Sequence, residues 1–569
     1  MAFQTRAEAI ETVTAPGQPH EIASGIIRGK ACRYFLNAPP TLRELYSANR
    51  SDAEFLVYED ERLTFEDVWK RACTLAHVLT ETLRVVPGDR VAISMRNYPE
   101  WAIAFIACTS VGAIAVALNA HWQSDEMQHA LRGASPKVLF ADQERIDRLE
   151  MFRDEFPELS AVAVRPRRPL PAGVKLWDDL LRRELLSEMP EVQLRPDDDI
   201  CILYTSGSTG FPKGAVSSHR NIISALLWWE VEGKVNRITG AVSDREVSGG
   251  SRYSPGLLTV PFFHVTGLHS RLLTRFRSQS PLVLMYKWDV EKGVELIERE
   301  KITEFIAPAA ITGDLVEYAR SHGRDLSSLR MLGGGGSARA PEQVRSIDTE
   351  LAHAFPQTAW SMTETNAIGT DNRGRDYLNN PESAGRGATV LDLRVVDEHG
   401  RDVGTNTRGE LQVRGVSVFR GYWGLPEVTA DSFDGDWFRT GDVAWIDAEG
   451  FVYIVDRIKD LVIRGGENIG CGEVEAALLE HPSILEASVY GVPDARLGEE
   501  VAATIFTKED VSEDEIARFL RDRIAPFKVP RYYVCSREQL PRTPSGKILK
   551  RQLRSEALGK LNFEPIADQ

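Results

Sequence analysis

The stretch YTSGSTGFPKG, at residues 204–214, is the part of this 569-residue chain that best indicates its fold. It directly follows the apolar run Ile200 to Leu203, so we predict a loop that leaves the end of a strand. Its glycines let backbone N–H groups approach an anion, its hydroxyls add donors, and its lysine adds positive charge. The pattern predicts a phosphate-binding loop that consists of Thr205, Ser206, Gly207, Ser208, Thr209, Gly210 and Lys213.

Other nucleotide and catalytic motifs fit the chain poorly. The loop is not a Walker A motif, because Phe211 and Pro212 separate its lysine from the preceding glycine. A second glycine cluster, Gly333 to Gly336, matches the dinucleotide fingerprint only weakly, since no acidic residue follows at the expected distance. The sequence has no HExxH zinc motif and no GxSxG nucleophile motif. The loop at residues 204–214 therefore predicts phosphate binding by a motif other than the Walker A or dinucleotide pattern.

Composition and charge exclude several classes of protein. Apolar residues make up 43% and charged residues 27%, a balance typical of a folded globular chain. The net charge of −15 argues against a nonspecific grip on nucleic acid or anionic lipid. Six scattered cysteines without a CxxC pair, and an N-terminus without an apolar signal region, predict a reducing, cytoplasmic location.

One uncharged stretch, Trp101 to Trp122, is long enough to span a bilayer. Gly112 divides it into a helix-like half and a strand-like half, so we predict a buried helix followed by a core strand and no transmembrane span.

The hydrophobic pattern predicts an α/β fold with a small second domain. Strand-like runs such as Arg90 to Ser94 and Lys137 to Ala141 alternate with helical patterns. The polar insertion Asn236 to Pro255 is interpreted as a mobile surface loop. Beyond Val395 we predict strands at Arg394 to Val396, Glu410 to Val413, Phe451 to Val455 and Glu486 to Gly491, and helices at Gly472 to Leu479 and Ser512 to Ile524. The predicted boundaries are 1–455 for a large N-terminal domain, 456–460 for a hinge and 461–569 for an α+β C-terminal lid domain.

The chain resembles the adenylate-forming superfamily of acyl-CoA synthetases, nonribosomal peptide adenylation domains and luciferases, from about Thr41 to Arg554. The resemblance is carried by ordered motifs: YTSGSTGFPKG at Tyr204, the cluster at Gly333, WSMTET at Trp360, RTGD at Arg439, DRIKDLVIRGGENI at Asp456 and PRTPSGK at Pro541. It implies layered sheets and helices in the large domain, a mobile small domain, and attack of a carboxylate on the α-phosphate of ATP. The resulting acyl-AMP is then attacked by the thiol of coenzyme A.

The resemblance also implies roles for individual residues. The 204–214 loop clamps the triphosphate, Thr363 contacts the α-phosphate, Glu364 holds Mg²⁺, and Trp360 stacks on adenine opposite a wall formed by Gly334, Gly335 and Gly336. Elsewhere a Thr-Glu pair commonly only starts a helix, and a Trp commonly only packs in the core, so these alternatives stay open.

Further roles are implied for the second half of the chain. Asp442 binds the ribose hydroxyls, and Arg457 assists at the ribose or at a phosphate. Lys459 is the hinge, and Lys547 bridges the carboxylate and the α-phosphate in the adenylation step. After rotation of the lid, the region around Gly465 and Gly466 lines the coenzyme A tunnel. The family often has Pro where this chain has Cys471, which predicts a looser loop.

The acyl pocket is less well specified. His264, in VPFFHVTGLH, lies where acyl-CoA synthetases often carry a residue near the substrate carboxylate, although a core histidine is an alternative. No acidic residue lies between Leu257 and Ser270, which disfavours an amino-acid substrate. We therefore predict an ATP-, Mg²⁺- and coenzyme A-dependent ligase for a medium-chain, aryl or polycyclic carboxylic acid, with a homodimer left open. The alternatives are an acyl-AMP ligase that serves a carrier protein and a noncatalytic acyl or nucleotide binder.

Overall fold

Strands and helices alternate along the N-terminal part of the chain, as the sequence predicts. The computed structural model describes residues 4–182, 184–205, 212–242, 254–307, 309–334, 341–351, 353–464, 467–494, 496–507, 509–543 and 546–561. The strands are β1 (Ile22–Ile27), β2 (Lys30–Phe35), β3 (Glu54–Tyr58), β4 (Glu61–Thr64), β5 (Arg90–Ser94), β6 (Ile114–Ala117), β7 (Val138–Asp142), β8 (Ser160–Val164), β9 (Lys175–Leu176), β10 (Asp199–Thr205), β11 (Lys213–Ser218), β12 (Gly256–Leu258), β13 (Leu282–Leu284), β14 (Glu304–Ile306), β15 (Met331–Gly333), β16 (Phe355–Thr358), β17 (Thr370–Arg373), β18 (Gly385–Gly387), β19 (Leu391–Val396), β20 (Gly409–Gly415), β21 (Gly421–Tyr422), β22 (Phe433–Asp434), β23 (Trp437–Ile446), β24 (Phe451–Arg457), β25 (Val462–Arg464), β26 (Glu467–Ile469), β27 (Ile484–Asp494), β28 (Gly498–Thr507) and β29 (Tyr532–Ser536).

The α-helices of the described ranges connect and cover these strands. They span Arg6–Thr14, Leu42–Ser47, Phe65–His77, Pro99–Ser110, Ser124–Ala134, Gln143–Glu150, Trp177–Leu180, His219–Ile238, Thr274–Ser278, Val290–Glu300, Ala309–Ser321, Pro341–Glu350, Gly374–Asn379, Pro426–Asp431, Cys471–Leu479, Glu513–Arg521 and Lys550–Lys560. Wider π-helical turns occupy Val78–Thr82 and Thr266–Leu273, and short 3₁₀ turns occupy Arg153–Glu155, Thr363–Thr365, Ile458–Asp460 and Pro526–Lys528.

Two large sheets form the N-terminal domain and confirm the α/β class. The first has the order β21-β11-β10-β6-β5-β7-β8-β9, and its strands from β10 to β9 are parallel to their neighbours. The second runs β19-β20-β23-β24-β18-β17-β16-β15-β14-β12-β13-β3-β4, with β22 beside β23. Its stretch from β16 to β3 is parallel, while β19 to β17 is antiparallel. The carboxyl ends of parallel strands are a common place for ligand sites.

A small α+β domain follows, as the sequence predicts. Its sheet has the order β26-β25-β28-β27, and β29 pairs with β28. The helix predicted at Gly472 to Leu479 is observed as Cys471–Leu479, and the one predicted at Ser512 to Ile524 ends earlier, at Arg521. Strand β27 extends beyond the predicted run at both ends, because it forms a long antiparallel pair with β28.

The uncharged stretch forms a buried helix and a core strand, which confirms the prediction. All residues of the helix Pro99–Ser110 except Glu100 are buried, Gly112 adopts a positive φ of 74°, and β6 follows. Among the described residues, the structure contains no helix that is both long and apolar enough to cross a bilayer.

The beginning of the predicted surface loop is instead part of a buried helix, so this prediction is wrong for its first residues. Asn236 lies in the helix His219–Ile238 and is 4% exposed, because its amide donates to Glu232 and Asp371. Glu232 also pairs with Arg6 of the N-terminal helix at 2.8 Å. Residues 243–253 of this predicted loop lie outside the described residues.

Candidate active site

A cavity of about 800 Å³ brings side chains of the two domains together. The N-terminal domain contributes residues near the ends of several strands, among them Thr205, Lys213, His264, Thr363 and Glu364. The C-terminal domain contributes Arg542, Thr543, Lys547 and Leu549. Residues from motifs that lie far apart in the sequence therefore line one cavity.

The predicted phosphate loop connects two antiparallel strands at this cavity. Thr205 ends β10, Lys213 begins β11, and the two residues are register partners. Both line the cavity, and Lys213 Nζ lies 5.6 Å from the centre of the Tyr422 ring. The intervening predicted residues Ser206, Gly207, Ser208, Thr209 and Gly210 lie outside the described residues. Both ends of the predicted loop thus lie at the cavity.

The glycine cluster after β15 is described only at its start. Gly334 lines the cavity and donates its N–H to the carbonyl of Gln357 at 2.8 Å. Gly335 and Gly336 lie outside the described residues.

Glu364 is a buried carboxylate that faces the cavity. It is 5% exposed, and its Oε1 accepts a hydrogen bond of 2.8 Å from the hydroxyl of Tyr422. Burial raises the pKa of Glu364, while the Tyr422 hydroxyl and the charge of Arg457 oppose that rise. Thr363 starts the same 3₁₀ turn, and the left-handed conformation of Asn366 and Ala367 redirects the backbone beyond it. The local fold therefore fixes this carboxylate at the cavity wall.

We predict that Tyr422→Phe lowers the free energy of unfolding by about 2 kcal/mol, because Oε1 of the buried Glu364 loses its hydrogen-bond donor. Urea denaturation measures this change. The control is Tyr204→Phe, whose hydroxyl donates to the neutral carbonyl of Ala130 at 3.2 Å. Equal losses in the two variants would contradict a specific role for the Glu364 charge.

Asp442 lies at the junction of three predicted site residues. It is 3% exposed, its Oδ1 pairs with Arg457 Nε at 3.0 Å, and its Oδ2 accepts from Trp360 Nε1 at 2.7 Å. Burial raises the pKa of Asp442, and Arg457, Trp360 and Lys547 oppose that rise. The adjacent residues Thr440 and Arg439 line the cavity, as does Arg457. Asp442 is thus held just behind the wall by two donors.

The Trp360 ring packs against several neighbouring residues, although its place in the motif suggests a contact with adenine. Its ring lies against Gly369, where an added Cβ would come within 2.5 Å of the indole, and it contacts two apolar clusters. Its neighbours Ala359 and Ser361 line the cavity. The structure therefore supports a packing and positioning role beside Asp442, and adenine stacking stays a prediction.

Lys547 extends from a short, closed loop of the C-terminal domain. The N–H of Thr543 donates to the carbonyl of Lys547 at 2.7 Å, and the N–H of Lys547 donates to Thr543 Oγ1 at 3.1 Å. Gly546 turns the loop with a φ of 84°, and Arg542 donates to the Gly546 carbonyl. These hydrogen bonds agree with the fixed loop that the Pro and Gly residues around Lys547 predict.

His264 lines the same cavity as Lys547. Burial, together with the nearby charge of Lys547, lowers the pKa of His264 to about 4. The imidazole is therefore neutral at physiological pH, and its buried Nε2 has no hydrogen-bond partner in the described part of the chain. A neutral ring next to a lysine can orient a carboxylate without adding charge.

We predict that His264→Gln changes the rate of acid-dependent pyrophosphate release by the same factor at every pH between about 6 and 8, because a group with a pKa near 4 does not titrate there. The measurement is the wild-type to variant rate ratio across that range. A sigmoidal change of this ratio centred near the ordinary histidine pKa would contradict the prediction.

The predicted hinge lies in the 3₁₀ turn Ile458–Asp460, which contains Lys459. Cys471 connects this turn to the C-terminal domain: its N–H donates to Asp456 Oδ2 at 2.6 Å, and its Sγ lies 3.1 Å from the Asp460 carbonyl. A proline at this position could not donate that N–H. Cys471 therefore ties the segment down, in contrast to the predicted looser loop. Gly465 and Gly466 lie outside the described residues.

Several cavity residues are not predicted by the sequence patterns. Tyr422 is recognisable only through its contact with Glu364, which is 58 positions away. Arg271, Arg275 and Glu304 form a buried ionic cluster at the cavity wall, and no motif marks them. Arg542 is the second residue of the PRTPSGK motif that contains Lys547, and this position in the motif is the signal that could have identified it.

Comparison with known families gives two matches along the chain. A family model for AMP-binding enzymes matches residues 44–423, and a model for the AMP-binding enzyme C-terminal domain matches residues 473–547. Feruloyl-CoA synthase of an Amycolatopsis species is 34% identical over 496 residues, which cover 86% of this chain and 93% of that protein. The long-chain fatty acid–CoA ligase FadD13 of Mycobacterium tuberculosis is 32% identical over 503 residues, covering 87% and 93%. Indoleacetate–CoA ligase of Aromatoleum aromaticum is 32% identical over 470 residues, covering 82% and 88%.

Solved structures show the same similarity. The anthranilate CoA ligase AuaEII in complex with anthranoyl-AMP has a TM-score of 0.83 at 25% identity, over 92% of this chain and 98% of that one. ATP-bound MatB from Rhodopseudomonas palustris has a TM-score of 0.79 at 25% identity, over 92% of this chain and 100% of that one.

Proposed function

Since this chain belongs to the AMP-binding enzyme family and is an ATP-dependent carboxylic acid:CoA ligase, we propose that its two-domain cavity is where acyl-AMP forms. The observation that carries this proposal is the position of Lys547. This lysine belongs to the C-terminal domain, yet it lines the same cavity as Glu364, His264 and Lys213 of the N-terminal domain. Such an arrangement suits a reaction between an acid and a nucleotide phosphate.

The charges of the wall support a division of labour. Lys213 and the loop that precedes it neutralise the triphosphate and the departing pyrophosphate. Lys547 approaches both the acid carboxylate and the α-phosphate as negative charge develops between them. His264, which is neutral, and Thr363 orient the reacting groups. While acyl-AMP forms, Asp442 and Arg457 position the ribose of ATP.

We further propose that Glu364 holds Mg²⁺. Magnesium ions in phosphoryl chemistry are commonly bound through one or two carboxylates together with substrate phosphates, so one buried carboxylate at the cavity wall fits the requirement. Its contact with Tyr422 fixes the side chain in place. When bound, the ion would supply charge neutralisation of the phosphate oxygens.

We propose that the C-terminal domain then turns about the 456–460 hinge near Lys459, so that the region of Gly465 and Gly466 admits coenzyme A. The short turn Ile458–Asp460 supports this pivot, because it connects β24 of the N-terminal domain to β25 of the C-terminal domain. The domain limits 1–455 and 461–569 follow from the same assignment. A cytoplasmic location and a homodimer stay predictions.

The acid is proposed to be medium-chain, aryl or polycyclic. Relatives named for ferulate, indoleacetate and long-chain fatty acids share about a third of their residues with this chain. The cavity volume lies within the range typical of small-molecule sites. The lack of an acidic residue between Leu257 and Ser270 supports an acid without an ammonium group.

The proposal is tested by pyrophosphate release from ATP across a panel of carboxylic acids, with and without coenzyme A. We expect release to depend on the acid, and an acyl-CoA product to appear only when coenzyme A is present. Release with an acid but transfer only to a carrier protein would favour the acyl-AMP ligase alternative. Failure of every acid to consume ATP would overturn the proposed function.

A further inference from the structure

Two buried arginines line the cavity on the helical segment beyond His264. Arg271 and Arg275 are 3% and 2% exposed. One carboxylate serves both, because Glu304 Oε2 lies 3.2 Å from Arg271 Nη1 and 2.5 Å from Arg275 Nη2. Burial would raise the pKa of Glu304, but the two arginines lower it to about 2, so it is ionised. Within the described residues, this cluster therefore carries one excess positive charge.

The same arginines retain unused hydrogen-bond donors. Nε and Nη2 of Arg271 and Nε of Arg275 are buried and have no partner among the residues that the structure describes. Buried donors are nearly always paired in folded proteins, since an unpaired donor destabilises the fold. Nε and Nη2 of one guanidinium form the planar two-donor edge that matches a carboxylate. Arg271 thus has a complete carboxylate-binding edge that no described protein group uses.

The two guanidinium groups also converge at one place. A Cβ added at Gly256 would lie 2.5 Å from Arg271 Nη2 and 2.6 Å from Arg275 Nη2, so these two atoms are at most roughly 5 Å apart. Like charges this close are unfavourable unless anions are near both of them. The single negative charge of Glu304 balances only one of the two arginine charges.

The surrounding wall is polar as well. Ser270 and Thr274, from the same helical segment, line the cavity next to the arginines. Their hydroxyls donate to the carbonyls of Thr266 and Ser270 at 2.7 and 2.9 Å, and each hydroxyl oxygen can still accept a hydrogen bond. The composition of the wall suits a ligand with its own polar end.

We propose that the substrate acid carries a second carboxylate, remote from the one that is activated, and that Arg271 and Arg275 bind it. The proposal rests on the proposed function, since it places the reacting carboxyl group near His264. Seven positions, most of them in the π-helical segment Thr266–Leu273, separate His264 from Arg271, so several carbon atoms separate the two carboxylates. The free donor edge of Arg271 lies beside Gly256, so binding requires this side chain to turn toward the cavity, while Arg275 contributes its positive charge and stays paired with Glu304.

Matched acids that differ only at the far end test this inference: hexanoate with adipate, octanoate with suberate, and decanoate with sebacate. We expect kcat/KM for pyrophosphate release to favour the dicarboxylate of at least one pair by about tenfold or more. Arg271→Met should reduce this preference by about tenfold or more, and Arg271→Lys should restore only part of it, because lysine lacks the two-donor edge. The preference is a ratio, so a uniform loss of folded enzyme leaves it unchanged.

Arg277→Met is the matched control. Arg277 lies in the same helical segment, but its side chain is 33% exposed and pairs with Glu230 at 2.7 Å. This variant should keep the wild-type preference. Equal use of both members of every pair by the wild type, or an unchanged preference in Arg271→Met, overturns the inference while leaving the ligase function intact. If no acid of any kind supports pyrophosphate release, the proposed function fails and the inference fails with it.

Discussion

Lys547→Ala is expected to slow acyl-AMP formation by about 100- to 1,000-fold, the size of effect seen when one preorganised charge is removed from a reacting centre. Lys547 lines the cavity, and hydrogen bonds of its backbone with Thr543 position the segment that carries it. The positive charge of Lys547 lies close enough to lower the pKa of His264 and to oppose the rise in the pKa of Asp442.

The measurement separates the two half-reactions. Acid-dependent pyrophosphate release should fall, whereas conversion of chemically prepared acyl-AMP and coenzyme A to acyl-CoA should stay near the wild-type rate. Lys560→Ala, which removes an exposed lysine from the last helix, is the control and should leave both rates unchanged. Intact adenylation with a failed thioester step would assign Lys547 the opposite role.

Asp442→Asn is expected to weaken ATP binding by about 10- to 100-fold, because the side chain loses the charge that would strengthen the proposed hydrogen bonds to the ribose hydroxyls. The substitution keeps the size of the side chain. It also leaves Arg457 without its ionic partner, which the carboxylate now holds at 3.0 Å. Since a buried group is changed, thermal unfolding must be recorded beside the affinity.

Calorimetric titration with ATP measures the affinity, and Asp434→Asn is the matched control. Asp434 is a carboxylate in the neighbouring strand β22, and it pairs with Arg394 at 2.8 Å. That variant should bind ATP as the wild type does. An unchanged affinity in Asp442→Asn would remove Asp442 from the nucleotide site.

Local patterns predicted the elements whose ends are set by local chemistry. The strand Arg90 to Ser94 is observed with its predicted bounds, and Gly112 separates a helix from β6 as expected. The helix predicted to reach Ile524 stops at Arg521, because the apolar residues beyond it pack against the core of the C-terminal domain without continuing the helix. The sequence pattern predicts a loop at Asn236, because nothing near a polar residue indicates that Asp371, far away in the sequence, accepts its hydrogen bond.

The candidate site also contains some residues that sequence motifs predict and others that only tertiary contacts reveal. Glu364, Asp442 and Lys547 are predicted to be site residues because each lies in one of several motifs that occur in an informative order along the chain. The pairing of Tyr422 with Glu364 and that of Arg271 with Glu304 arise from tertiary contacts between separate elements, so no spacing in the sequence announces them. Sequence alone therefore predicts the reaction better than it predicts the acid.

If the C-terminal domain turns about position 459 as proposed, the hydrogen bond between the Cys471 N–H and the Asp456 carboxylate must break. Asp460 would move with Cys471 and keep its contact with the thiol, whereas Asp456 would stay with the N-terminal domain. The Asp456 carboxylate would then exchange a peptide N–H donor for water. We therefore expect this pair to affect how often the domain turns rather than how tightly a substrate binds.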